Sequence, residues 1–185
     1  MCQSVSVRSR RRFLATLATT LLAPSALLPA RTNALPAPAA RRLAFVHTHT
    51  GERLSAVYAE GGAYVPEALQ AINRLLRDHR TDEVHPIDPA LLDQLSALTE
   101  LTGGSGCYEV ICGYRSAKTN AMLRERSSGV AKGSLHLQGR AIDVRLPGVP
   151  LARLRDAARH MAAGGVGYYP KSDFLHMDTG RVRSW

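Results

Sequence analysis

Ser134-Leu135-His136-Leu137-Gln138-Gly139-Arg140-Ala141-Ile142-Asp143 sets an imidazole and a carboxylate seven residues apart, joined by a glycine and a small alanine. A second imidazole follows at His176, inside the apolar-flanked run Phe174-Leu175-His176-Met177-Asp178. Two imidazoles and one carboxylate are a usual protein complement for a catalytic zinc, whose fourth position is left to water. Gly139 and Ala141 suit a tight passage between two ligands, where a larger side chain would crowd the ion. The stretch predicts a hydrolytic zinc site, and the rest of the chain is read as building, feeding or delivering it.

Outward from that stretch, Arg140–Val144 and Phe174–Asp178 read as strands, with Leu151–Met161 as a helix and Gly165–Tyr169 as another strand. Upstream, Leu43–His47 and Arg53–Tyr58 read as strands joined by a turn at Thr48-His49-Thr50-Gly51. His47 and His49 beside that glycine are read as turn residues rather than ligands. Ala68, Leu69, Ile72, Leu75 and Leu76 form a helical stripe that starts at Pro66. Its end at Asp78-His79-Arg80 is read as a loop clamp. Asp88-Pro89 opens a second helix as N-cap and first helical residue; Leu91, Leu92, Leu95 and Leu98 are its core stripe, and Gly103-Gly104 closes it. A strand over Cys107–Cys112 and a helix over Lys118–Arg126 precede the metal stretch. Strands and helices mix without a regular alternation. That pattern predicts an α+β domain with an antiparallel sheet and helices packed on one side.

The chain has 185 residues, 45% of them apolar, and a formal charge of +9. This suits one domain with a leader and excludes a disordered chain. Residues 1–34 hold Arg8, Arg10, Arg11, Arg12 and Arg31 and no acid, so 19 basic against 15 acidic groups leave only about +4 beyond them. That is too mild to argue for nucleic acid, and no nucleic-acid motif is present. It suits an anionic polymer such as a cell wall. Ser9-Arg10-Arg11-Arg12-Phe13-Leu14, followed by an Ala/Leu/Thr-rich run to Leu28, reads as a secretory signal of twin-arginine type. The run contains Pro24 and is short for a membrane span, so no stable span is expected after processing. The expected division is a signal peptide over 1–34, a linker over 35–42 and the catalytic domain over 43–185. Cys107 and Cys112, at the two ends of one strand, would lie roughly 16 Å apart. They are read as two separate buried thiols, with Cys2 in the leader.

Ser134-x-His136-x-x-Gly139-x-Ala141-x-Asp143 with a later His176 resembles the signature of the LAS zinc peptidases. That group includes the D-Ala-D-Ala metallopeptidases and the metal-binding amino-terminal domain of hedgehog proteins. The runs His47–Glu52, Leu76–Thr81, Ile87–Pro89, Gly113–Ser116, Gly165–Tyr169 and Arg183–Trp185 are similar to its YcbK-like branch. That branch comprises exported murein endopeptidases of the bacterial envelope. The resemblance covers nearly all the chain after residue 42.

The resemblance implies one Zn²⁺ held by His136, Asp143 and His176, peptidoglycan stem peptides as substrate and a periplasmic location. It places Arg115 against the substrate, where the fixed fork of a guanidinium holds a carboxylate or a developing oxyanion. Tyr114 and Ser134 are the further substrate-binding candidates. LAS peptidases place a Glu three residues before the last histidine ligand; here Asp173 stands there, one methylene shorter. Asp173 is the first candidate for general base and Asp178 the second. If 174–178 is a strand, Asp178 shares the face of His176 and is placed to orient it. The alternative readings are a D-Ala-D-Ala carboxypeptidase or dipeptidase, and a wall-binding module that keeps zinc as a structural prop.

Overall fold

The computed structural model describes residues 39–127 and 129–185. The stretch read as leader, with Cys2, lies outside the described residues. Eight strands and four helices follow one another: β1 Arg41–His47, β2 Arg53–Glu60, β3 Ala63–Tyr64, α1 Pro66–Leu75, α2 Pro89–Thr102, β4 Cys107–Cys112, α3 Ala117–Arg126, β5 Ala141–Arg145, α4 Leu151–Met161, β6 Gly165–Tyr169, β7 Phe174–Asp178 and β8 Arg183–Ser184. A 3₁₀ turn over Leu135–Gln138 precedes β5. β1 thus begins at Arg41, inside the stretch read as linker. The two-residue strands β3 and β8 are too short to leave a periodic signal.

The strands form one sheet in the order β3-β2-β1-β4-β5-β7-β6-β8. Most pairs are antiparallel, as expected of an α+β domain. Two are parallel, β1 with β4 and β6 with β8. The first parallel pair has a plain cause: α1 and α2 lie between β1 and β4, and a long helical crossover returns the chain to run in the same direction.

One face of the sheet carries the core. Leu43 and Phe45 from β1, Tyr108 and Val110 from β4, Ile142 and Val144 from β5, and Leu175 and Met177 from β7 pack on Ile72 and Leu75 of α1, Leu91, Leu92, Leu95 and Leu98 of α2, and Leu154 of α4. The four α2 leucines are fully buried. Each contributes about 1.5–3 kcal/mol of transfer free energy. α3 gives no side chain to this core; its buried residues are the polar Thr119 and Asn120. Three helices therefore cover the core face, and the opposite face of β5 and β7 is left for chemistry.

Candidate metal centre

Alternation along β5 and β7 does the first part of the work. Ile142, Val144, Leu175 and Met177 point to the helices, so Asp143, His176 and Asp178 point the other way. Asp143 and His176 are direct cross-strand partners in the register, which brings their side chains together without any loop. His136 arrives from the 3₁₀ turn, which ends at Gly139 with φ +64°. A Cβ at Gly139 would meet the Pro86 carbonyl oxygen at 2.1 Å. The glycine is thus required by the Pro86 backbone and the left-handed turn, not by crowding at the ion. The Gly139 carbonyl accepts from the Asp88 amide at 2.9 Å. Asp88 also caps α2 through Ala90 N and accepts from Thr179 Oγ1 at 2.7 Å.

The three ligand candidates converge. His136 Nε2 lies 3.2 Å from His176 Nδ1 and 3.3 Å from Asp143 Oδ1, and His176 Nδ1 lies 2.8 Å from Asp143 Oδ1. Donors 2.0–2.1 Å from a tetrahedral ion sit about 3.3 Å apart, so the triangle has the dimensions of a divalent-metal site. The tautomers agree. His136 Nδ1 donates to the Gly113 carbonyl at 2.7 Å, which leaves the Nε2 lone pair for the ion. His176 Nε2 donates to Asp178 Oδ2 at 3.1 Å, which leaves Nδ1. Burial alone would push the Asp143 carboxyl up and the His136 imidazole down. The mutual attraction of the pair reverses both, holding Asp143 well below the usual carboxylate range and raising His136. Such a cluster is able to hold a divalent cation in place of the proton.

Asp178 is fully buried. Besides His176, its oxygens accept from Gly165 N at 3.0 Å, Gly180 N at 2.8 Å, and Arg183 Nη1 and Nη2 at 3.0 and 2.6 Å. Although its burial opposes ionisation, these donors keep it a carboxylate far below its ordinary pKa. Both oxygens are thus engaged by donors, Oδ2 by His176 and Arg183 and Oδ1 by Gly165, Gly180 and Arg183.

Asp173 goes elsewhere. It sits in a left-handed turn at φ +50°, mostly exposed, with Oδ2 3.5 Å from Arg145 Nε. It lines a separate small cavity with Glu109 and Arg145. The tight turn that starts β7 aims its carboxylate at Arg145, so the structure does not bring Asp173 to the ligands. Tyr114 is not there either: it packs on the core and stacks on His85 with ring centroids 4.7 Å apart.

Arg115 and Ser134 do line the ligand cleft, which measures about 480 Å³ and is bounded on its far side by Tyr169, Phe174, Arg183 and Trp185. The Trp185 ring centroid lies 5.3 Å from that of His176. A Cβ at Gly167 would strike Trp185 at 2.7 Å, so glycine on β6 makes room for the indole. The loop that presents Arg115 is pinned from both sides. Tyr114 N donates to Leu76 O, Ser116 N to Asp78 Oδ2 at 2.9 Å and Arg115 N to His136 O at 3.1 Å. Asp78 is thus the loop clamp its position suggested. Arg115 is 9% exposed; its guanidinium reaches Asn120 Oδ1 at 3.3 Å and leaves Nε without a partner. A buried donor of that kind in a residue lining a cleft is able to take a hydrogen bond from a ligand there. A larger cleft of about 670 Å³ runs beside β1 and β4 among Arg42, Arg53, Ser55 and Glu109, and no imidazole lines it.

The cysteines depart from expectation. Cys107 is half-buried and disulfide-bonded rather than a thiol. Cys112 is the free cysteine among the described residues, and it stands beside His136 and Asp143. Simple alternation along β4 hides it, as shown below. His47 ends β1 and His49 lies in the turn that follows, the His49 amide donating to His47 Nδ1 at 3.2 Å.

Comparison with known proteins agrees with the geometry. The family model for peptidoglycan L,D-endopeptidase MepK matches residues 35–185. The probable peptidoglycan L,D-endopeptidase MepK of Haemophilus influenzae is 48% identical over 149 residues, covering 80% of each chain. The peptidoglycan L,D-endopeptidase MepK of Escherichia coli K12 is 45% identical over 162 residues, covering 87% of this chain and 89% of that one. No solved structure matches. A peptidase-type donor set on this sheet, matched over nearly the whole described chain, places the protein in the peptidoglycan L,D-endopeptidase MepK family of peptidases.

Proposed function

We propose that the chain hydrolyses L,D peptide bonds in cross-linked peptidoglycan, using one zinc ion held by His136 Nε2, Asp143 and His176 Nδ1. The observation that carries this reading is the donor triangle set in an open cleft beside the buried Arg115, whose Nε has no partner. A bound divalent ion supplies Lewis acidity to the scissile carbonyl and to water.

The protein's own groups do the rest. Asp178 fixes the ring of His176, and the Gly113 carbonyl fixes that of His136. Arg115 binds a stem-peptide carboxylate or the developing oxyanion through its free Nε and its fork. Ser134 stands at the rim, where its hydroxyl is placed for the peptide backbone. The open cleft suits a chain that passes through, which favours an endopeptidase over a pocket for a free terminal carboxylate. Among the described residues lining the cleft, Asp143 and Asp178 are the only carboxylates. Asp173 therefore has no part in this proposal.

The relatives' names place their substrate in the cell wall, and we extend that to this chain. We infer export by the twin-arginine route from Arg10-Arg11-Arg12-Phe13-Leu14. No helix among the described residues is long and apolar enough to cross a membrane.

The test is a digest of purified cross-linked peptidoglycan by zinc-loaded protein, with products identified by mass spectrometry beside a His136→Ala control and a chelator control. Loss of dimeric muropeptides that needs both His136 and metal supports the reading and names the bond. Trimmed terminal D-Ala with intact cross-links would make it a carboxypeptidase. Bound zinc and bound wall without any product would leave a binding module.

A further inference from the structure

β4 does not pair evenly with β5. Glu109 faces Arg145 and Val110 faces Val144, but Cys112 faces Asp143, so Ile111 is an extra residue with no partner of its own. An inserted residue in one strand is a β-bulge, which re-aims the side chain that follows it. Tyr108 and Val110 point into the core beneath the helices. Regular alternation would send Cys112 there as well. The bulge turns it onto the face of Asp143 instead, and into the ligand cluster.

The donor atoms of Cys112, His136 and Asp143 all lie within 4.8 Å of one another. With metal–sulfur near 2.3 Å and metal–nitrogen near 2.0–2.1 Å, sulfur and nitrogen donors on one tetrahedral ion sit about 3.6 Å apart. That grouping takes in His136 and Asp143 but not His176, so a short movement of the thiol is needed to complete such a tetrahedron with both histidines. Arg115 Nη2 lies 3.7 Å from Cys112 Sγ, which gives a thiolate there a cationic neighbour.

We propose that Cys112 is a fourth protein ligand, closing the centre as a two-histidine, one-aspartate, one-cysteine set when no substrate is present. The inference rests on the metal reading above. On binding, the thiol loses its proton to solvent and a metal–sulfur bond forms in place of a bound water. A four-ligand ion has no open position. Substrate entering beside Arg115 therefore has to displace the sulfur, and Cys112 acts as a built-in gate of the metal.

The test uses cobalt in place of zinc in the full chain. Thiolate ligation gives an intense sulfur-to-cobalt charge-transfer band in the near ultraviolet, which nitrogen and oxygen ligands do not. We expect this band in the parent chain and its loss in Cys112→Ser at the same cobalt stoichiometry. A second measurement needs no variant: zinc loading should slow alkylation of the Cys112 peptide by iodoacetamide, followed by mass spectrometry. Cobalt bound at one equivalent with no such band, or a band that persists in Cys112→Ser, overturns the proposal. So does alkylation of Cys112 that is indifferent to zinc. Failure of the parent chain to bind cobalt or zinc at all would instead overturn the metal reading itself.

Discussion

At the scale of single residues, the two aspartates flanking β7 separate most sharply. Asp178 holds His176 from behind, so Asp178→Asn should lower metal affinity or turnover by about 10–100-fold, as loss of such a supporting carboxylate does elsewhere. Metal titration together with the rate of cross-link cleavage measures it. Asp173→Asn should leave turnover unchanged and shift stability by no more than about 0.5 kcal/mol, since the side chain is exposed and Asn tolerates its left-handed turn. Cleavage that collapses in Asp173→Asn would restore Asp173 as the base. That His136, Asp143 and His176 come together, and that Asp178 shares the face of His176, was legible in the sequence because strand alternation and motif spacing are local rules. The direction of Asp173 was not. A three-residue offset from His176 says nothing of a turn with φ +50° that sets the Asp173 carbonyl and carboxylate against Arg145. Gly139→Ala tests a different misreading. With Pro86 O at 2.1 Å from the new Cβ and a left-handed backbone, it should cost more than about 1 kcal/mol in a urea titration, whether or not metal is present. An effect seen only in the metal-loaded protein would mean the glycine answers to the ion after all.

Among the elements, α2 ties core to site. Asp88→Ala removes the cap on Ala90 and the acceptor for Thr179, and should destabilise the domain by about 1–2 kcal/mol, toward the upper end for an N-cap. A denaturant midpoint that does not move would show the cap to be idle. The helix and its boundaries could be read from Asp88-Pro89, four leucines and two glycines because each signal lies within the element. β4 could be read as a strand for the same reason, but not its bulge. Ile111 looks like any strand residue, and only pairing with β5 reveals that Val110 and Cys112 end up on opposite faces. The parallel contact of β1 with β4 was equally hidden, since strand direction depends on what the chain does over residues 48–106 between them.

For the molecule as a whole, one sheet serves two masters, a dry face under three helices and an open face with the ligands. A third cluster lies apart from both. His47, His49 and His79 stand with ring centroids 4.3–5.9 Å apart. Burial pushes His79 down to about 4, with Arg80 and the other two imidazoles adding to it and Asp78 opposing. Burial lowers His47 too, with His49 and Arg77 adding to it and Glu52 opposing. The unfolded chain binds these protons near pH 6.5 and the folded one resists, so their contribution is complete above about 6.5 and is lost as pH falls toward 4. Thermal melts across that window should show falling Tm, and His79→Gln should flatten the slope. A slope unchanged in that variant would assign the acid sensitivity elsewhere.

Asp88 carries a last consequence. Its backbone amide holds the segment just after His136, and its side chain holds Thr179, just after Asp178, while the same carboxylate starts α2. Whatever tightens the cleft must therefore be felt as stiffness in the first turn of that helix. Metal loading should therefore slow amide hydrogen exchange at Ala90, with the helix acting as a strut between the two segments; exchange there that is indifferent to metal would show the strut to be slack.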